Sequence, residues 1–94
     1  MNRIVWSRLS RDDLEEIRLY LKLRDPHAAR RVVVAIRDQT RRLRDFPLSG
    51  APFGTANFRK LSVIALHYVV IYRVETTVVE ISRVIHSARD FSGV

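Results

Sequence analysis

Arg83, His86 and Arg89 recur at three-residue intervals in the stretch "ISRVIHSARDF" of this 94-residue chain. Their chemistry is that of RNA cleavage. An imidazole exchanges a proton near neutral pH, so His86 could serve as acid or base towards a 2′-hydroxyl. Flanking guanidinium groups could hold the charge that builds on a phosphorane-like transition state, with Lys60 as a further cation. The plainer reading is a histidine closing a strand end, bonded to backbone or to Asp90. His27, His67 and His86 lie far apart with no pair at helical spacing, and cysteine is absent, so neither a metal site nor a disulfide is expected. The chain has no Gly-rich phosphate loop, no G-x-S-x-G and no paired-carboxylate motif. Gly50 and Gly54 are spaced for turns.

The charge balance is more distinctive. Seventeen Lys and Arg against ten Asp and Glu give +7, almost all of it arginine, since Lys22 and Lys60 are the only lysines. Such a surplus points to an anionic partner, either nucleic acid or an acidic protein. Arg30, Arg31, Arg37, Arg41, Arg42 and Arg44 share a helical face that could track phosphates. The commoner role of such a face is solvation, with Asp38 and Asp45 as local partners, and no aromatic is interleaved for base stacking. Arg59 and Arg73 fall at strand ends, where cross-strand pairing with Glu75 or Glu80 is the simple account. Tyr68 and Tyr72 fall on one strand face, where they suit core packing better than stacking on bases.

These residues need a scaffold, and the length allows one domain, residues 1–94. A domain of this size buries only roughly 60–65 % of its unfolded surface, so a partner covering apolar surface adds appreciably to its stability. The 47 % hydrophobic content and mean hydropathy of −0.08 indicate a folded chain. No apolar run reaches the ~18 residues of a membrane span, and "MNRIVWSRLS" lacks a signal-peptide core, so the cytoplasm is the expected compartment.

The element pattern begins with a β-prone "RIVW". A first helix follows, with Ser10 as the expected N-cap, Asp12, Asp13 and Glu15 in its first turn, and a staple of Leu9 on Leu14. Leu14, Ile17 and Leu21 make its buried stripe, while Leu19 and Leu23 face roughly the other way and call for a second apolar neighbour. Asp25 and Pro26 open a second helix whose inner arc runs Ala28, Ala29, Val32, Val33, Ile36, Thr40, Leu43 and Phe46, until Pro47 ends it. "PLSGAPFGTAN" is a loop. Three strands follow at Lys60–Ala65, His67–Val74 and Thr77–Ile85, joined closely as an antiparallel meander. The predicted fold is α+β: an antiparallel helical hairpin on a small antiparallel sheet, ordered β-α-α-β-β-β. The central strand is apolar on both faces, so its second face also needs cover.

The ordered segments "DDLEEIRLYL", "AARRVVVAI", "LRDFPLSGAPFG", "FRKLSV", "HYVVIYRV" and "VEISRVIHSARDF" resemble the RelE/ParE toxin superfamily of type II toxin–antitoxin modules over nearly the whole chain. The resemblance implies a toxin neutralised by a cognate antitoxin, with no cofactor. It also implies that Leu19, Leu23, Tyr68 and Tyr72 contact that antitoxin, by helix-in-groove docking and strand addition. RelE-like members cleave mRNA on the ribosome without metal, using lysine, arginine, histidine and a late tyrosine. ParE-like members lack that set and poison DNA gyrase. Here Val69 follows Tyr68 where the RelE branch often has arginine, Ser62 stands two after Lys60, and no tyrosine follows Tyr72. The wording is therefore closer to ParE, which makes Arg59, Arg73, Arg83, His86 and Arg89 a target-contact edge. The alternative is a RelE-like endonuclease with His86, Arg83, Arg89 and Lys60 as its catalytic set.

Overall fold

A computed structural model describes residues 2–63 and 67–87. Strand β1 (Arg3–Trp6) leads into helix α1 (Arg8–Lys22), and helix α2 (Pro26–Arg41) returns along it before a single 3-10 turn at Arg42–Arg44. Then come β2 (Ala51–Pro52), β3 (Phe58–Val63), β4 (Tyr68–Val74) and β5 (Val78–His86). The sheet order is β1-β5-β4-β3-β2. The α+β class and the helical hairpin are as expected, but the sheet is mixed. β1 joins β5 in parallel, and the loop contributes the two-residue edge strand β2.

The helix starts show how local chemistry sets the boundaries. Asp25 caps α2 by accepting from the N–H groups of His27 and Ala28, and Pro26 takes the first helical position, where its missing N–H costs nothing. In α1 the cap is Ser7, not Ser10. The Ser7 hydroxyl accepts from the Ser10 N–H, while the Ser10 hydroxyl, fully buried, donates to the Ser7 carbonyl. Starting the helix three residues earlier leaves no acid in its first turn. Asp13 is thereby moved from a dipole-compensating place to the buried side.

One core lies between the hairpin and the sheet. Leu14 and Ile17 of α1, Ile36 of α2 and Leu43 of the 3-10 turn pack on Val63, Tyr68, Val70, Tyr72, Val79, Ile81 and Val84. Phe46 does not complete the α2 arc: the helix has ended by then and its ring is 66 % exposed. Val69 and Ile71, on the second face of β4, are buried as expected of a doubly apolar strand. Among the described residues no helix is long and apolar enough to cross a membrane.

Candidate functional site

The far half of β5 carries two of the predicted site residues, and its geometry depends on an irregularity. β4 pairs Ile71 with Arg83 but Tyr72 with Ile81, so Ser82 is an extra, unpaired residue. A bulge of this kind resets the alternation of side chains. It lets Ile81 and Val84, three apart, both point into the core, and sends Arg83 to the other face.

Beyond Ile81 no strand among the described residues lies beside the outer edge of β5, because β1 ends at Trp6. The start of α1 closes that edge instead. The Ser7 hydroxyl donates to the Ser82 carbonyl at 2.9 Å, and the Asp13 carboxylate accepts the Val84 N–H at 2.9 Å. Asp13 also takes a two-pronged bond from Arg83, 2.7 Å from Nε and 3.0 Å from Nη2. That bond raises the Arg83 pKa, burial acting in the opposite direction. Arg83 is therefore fastened as part of the scaffold, with its side chain 44 % exposed. Sequence reading missed Asp13. The available signal was an acid among Ser10, Leu14 and Ile17 on the inward face of α1, a place that demands a partner.

His86 pairs across strands with Tyr68, and the two rings meet edge to face at 5.1 Å. Tyr68 belongs to the core between sheet and helices, so His86 stands on that face. Lys60 and Arg83 both sit opposite Ile71, in one row on the other face, because neighbouring Leu61 and Val84 fill the core. The pleat thus separates the histidine from the two described cations proposed to assist it. Lys60 lies instead over the Phe53 ring at 5.6 Å. Arg89, Asp90 and Phe91 lie outside the described residues.

Arg59 and Tyr72 hold the loop between α2 and β3. The Tyr72 hydroxyl donates to the Pro47 carbonyl at 2.8 Å and accepts the Gly50 N–H at 2.9 Å. Arg59 Nη1 donates to the Gly50 carbonyl at 2.7 Å and, at the limit of range, to the Leu48 carbonyl at 3.3 Å. Burial raises the pKa of the Tyr72 hydroxyl, with the Gly50 bond opposing. Gly50 is required by close approach: a Cβ there would stand 2.6 Å from the Lys60 carbonyl and 2.7 Å from the Tyr72 hydroxyl. Tyr72 is fully buried and Tyr68 nearly so, so the free chain offers neither as an antitoxin-contact surface; both are core. Arg73 lies 3.5 Å from Glu80, and its Nε is 3.0 Å from Glu75 without the alignment of a hydrogen bond.

The helices carry what the sheet does not. Leu19 is 49 % and Leu23 88 % exposed on α1, with Tyr20 beside them under the Arg24 guanidinium at 4.0 Å. On another side of the hairpin, a groove of about 1250 Å³ runs between β1 and both helices and is walled by arginine.

Residues 4–91 match the model of a family described as the ParE toxin of type II toxin–antitoxin system, parDE. The chain belongs to the ParE toxin family. It is 34 % identical to Y4kP of Sinorhizobium fredii over 92 residues, 98 % of this chain and 95 % of that one. It is also 34 % identical to Toxin RelE2 of Caulobacter vibrioides over 89 residues, 95 % of this chain and 99 % of that one. In fold it matches a chain of the chromosomal ParDE toxin–antitoxin system from P. aeruginosa with a TM-score of 0.80 at 22 % identity, covering 92 % and 96 % of the two chains. A chain of the RelBE2 toxin–antitoxin complex from Mycobacterium tuberculosis matches at 0.57 with 25 % identity, covering 90 % and 96 %. The chain is thus a type II toxin of the ParE/RelE superfamily, as its residue pattern implied.

Proposed function

We propose that this toxin acts in the cytoplasm as a ParE-like inhibitor of DNA gyrase, doing no chemistry of its own, and is held inactive by a cognate antitoxin. The observation supporting that reading over RNA cleavage is the division of the candidate set by the sheet. His86 packs on Tyr68 on the helix side, Lys60 projects from the other face, and Arg83 is engaged by Asp13. Acid–base cleavage needs these groups to converge on one phosphate. The match to the ParE family over residues 4–91 supports the same branch. The solved relatives, one named as a toxin–antitoxin system and the other as a toxin–antitoxin complex, support the antitoxin partner. Exposed Leu19 and Leu23 are the described antitoxin candidates that remain on the surface.

One observation favours the endonuclease reading, the relative named Toxin RelE2 at 34 % identity. In that reading His86 is the acid or base, and Arg83, Arg89 and Lys60 carry phosphate charge. Brief expression of the chain without a partner, with DNA, RNA and protein labelling followed together, separates the two. Gyrase inhibition gives an early fall in DNA synthesis with a DNA-damage response. An immediate loss of protein labelling, abolished in His86→Ala, would instead establish cleavage on the ribosome.

A further inference from the structure

Each residue of the turn Phe46–Gly50, which follows α2, has its backbone bonded. The Phe46 N–H donates to the Arg42 carbonyl, and the Phe46 carbonyl accepts the Ser49 N–H. Pro47 and Gly50 are bonded to the buried Tyr72 hydroxyl, and the Leu48 and Gly50 carbonyls accept from Arg59. Pro47 restricts the turn from within, since its ring fixes φ at the second turn position. Loops are ordinarily the mobile part of a domain. Here the backbone is satisfied internally, and the side chains are what the turn presents.

Those side chains are apolar. Phe46 is 66 % and Leu48 62 % exposed. A single exposed leucine is ordinary, but two large apolar side chains on one clamped turn form a knob. Beside it, Leu48, Pro52, Ala56, Phe58, Val74 and Arg59 line a shallow pocket of about 250 Å³. The counterpart of such a surface is apolar, recessed at the knob and raised at the pocket. Residues 42–60 add Arg42, Arg44, Arg59 and Lys60 against Asp45 alone. The counterpart therefore carries acids around its apolar contact.

Other occupants fit less well. A nucleic acid would answer the cations, but it has no apolar side chain for the pocket, and Leu48 offers no ring face to a base. A second copy of this chain would set four more cations against the first four. The antitoxin candidates Leu19 and Leu23 belong to the other end of the hairpin. Leu23 closes α1 just before α2 begins, whereas Phe46 follows the end of α2, whose 16 residues span about 24 Å.

We infer that this turn is the element by which the toxin grips gyrase. Phe46 and Leu48 enter an apolar, acid-rimmed recess on gyrase, and an apolar side chain of gyrase fills the pocket beside them. This rests on the gyrase reading and adds which surface makes the contact. A turn already fixed in its bound shape loses little conformational entropy on docking, which is what the clamp contributes. Tyr72 and Arg59 thus act on the target only through the turn.

The test is inhibition of purified gyrase on relaxed plasmid by the wild type and by Phe46→Ser with Leu48→Ser. The double variant should need at least about 10-fold more protein for the same inhibition. Its melting temperature should stay close to that of the wild type, because both side chains are exposed. So should its binding to the antitoxin co-expressed from the adjacent reading frame. Hydroxyl-radical footprinting of the wild type needs no variant, and compares Phe46 with Tyr20, both exposed, before and after gyrase is added. Phe46 labelling should fall several-fold while Tyr20 labelling holds. Equal inhibition by wild type and variant, or protection of Tyr20 with Phe46 unchanged, overturns the role of the turn and leaves gyrase as the target. Loss of antitoxin binding with inhibition intact also overturns it, and assigns the turn to the antitoxin. A wild-type chain that neither inhibits nor binds gyrase overturns both the inference and the reading it rests on.

Discussion

Arg83 and Arg37 carry the same side chain in opposite circumstances. Arg83 lies within the stretch that looks most reactive in the sequence, yet both ends of its fork rest on Asp13. Arg37 lies on a helix face that reads as ordinary solvation, yet it lines the groove between β1 and the helices and has no salt bridge to any acid among the described residues. The difference teaches where the surplus charge is available. Arginines of the sheet (Arg59, Arg73 and Arg83) hold loop carbonyls or acids of their own fold. Arg3, Arg11 and Arg37, on β1 and the helices, make no salt bridge among the described residues. Residues 1–46 hold twelve Lys and Arg against seven Asp and Glu, so five of the seven surplus charges belong to the hairpin side rather than to the suspected catalytic end.

If this contrast is right, removing the partner of Arg83 should damage folding more than any change on the groove. Asp13→Ala leaves the Val84 N–H and a half-buried guanidinium unmatched, and should cost about 2–3 kcal/mol. In a chain of this length that lowers the melting temperature by roughly 10–20 °C, measurable by circular dichroism. Arg83→Met should cost clearly less, because Asp13 still receives Val84. Equal losses would mean that the ion pair, not the strand-edge cap, carries the stability.

The loop clamp comes next. Gly50→Ala drives a methyl group against the Lys60 carbonyl and the Tyr72 hydroxyl, and should cost about 1–3 kcal/mol by denaturant unfolding. Tyr72→Phe should cost about 1–2 kcal/mol through the lost bonds to Pro47 and Gly50. The pH dependence gives a second handle. The Tyr72 pKa is raised on folding above the ordinary 10.0, so the neutral hydroxyl is favoured by the fold. Its contribution is complete below pH about 10 and is lost as pH climbs through the higher folded value. Stability of the wild-type chain should therefore fall more steeply above pH about 10 than that of Tyr72→Phe. Parallel curves would mean that Tyr72 does not titrate with unfolding.

The smallest effect on folding is expected from Leu19→Ser with Leu23→Ser. Both side chains are exposed, so the free chain should change by less than about 0.5 kcal/mol per site. Loss of antitoxin affinity in that variant would assign the outer face of α1 to the partner. A comparable loss of folding would place the two leucines in the intramolecular core.

How much of this was legible depended on the range of the interaction. The Asp25–Pro26 start of α2 is written in adjacent residues, and it was read correctly. The cap of α1 was expected at Ser10, but the structure places it at Ser7. The choice turned on Ser82, 75 residues away, whose carbonyl holds the Ser7 hydroxyl. The meander strands were plain from their period, but the bulge at Ser82 was not, since nothing in "VEISRVIH" marks where alternation slips. Without the bulge, Arg83 and His86 could not be assigned to faces, and face decides whether they share a site. β2 escaped notice because it is two residues long and contains a proline. Tyr68 and Tyr72 were expected at a partner surface and are buried in the core of the free chain, for a related reason. A strand face seen in sequence does not say whether helices or a second protein will cover it.

The central claim is that toxicity comes from binding gyrase and not from chemistry at His86. The most direct test is a supercoiling assay with purified gyrase and relaxed plasmid, with the toxin added as wild type and as His86→Gln. The account predicts that both proteins block supercoiling at similar concentrations and leave ribosome-bound message intact. Undisturbed supercoiling, together with message cut by the wild type and left whole by His86→Gln, would contradict it.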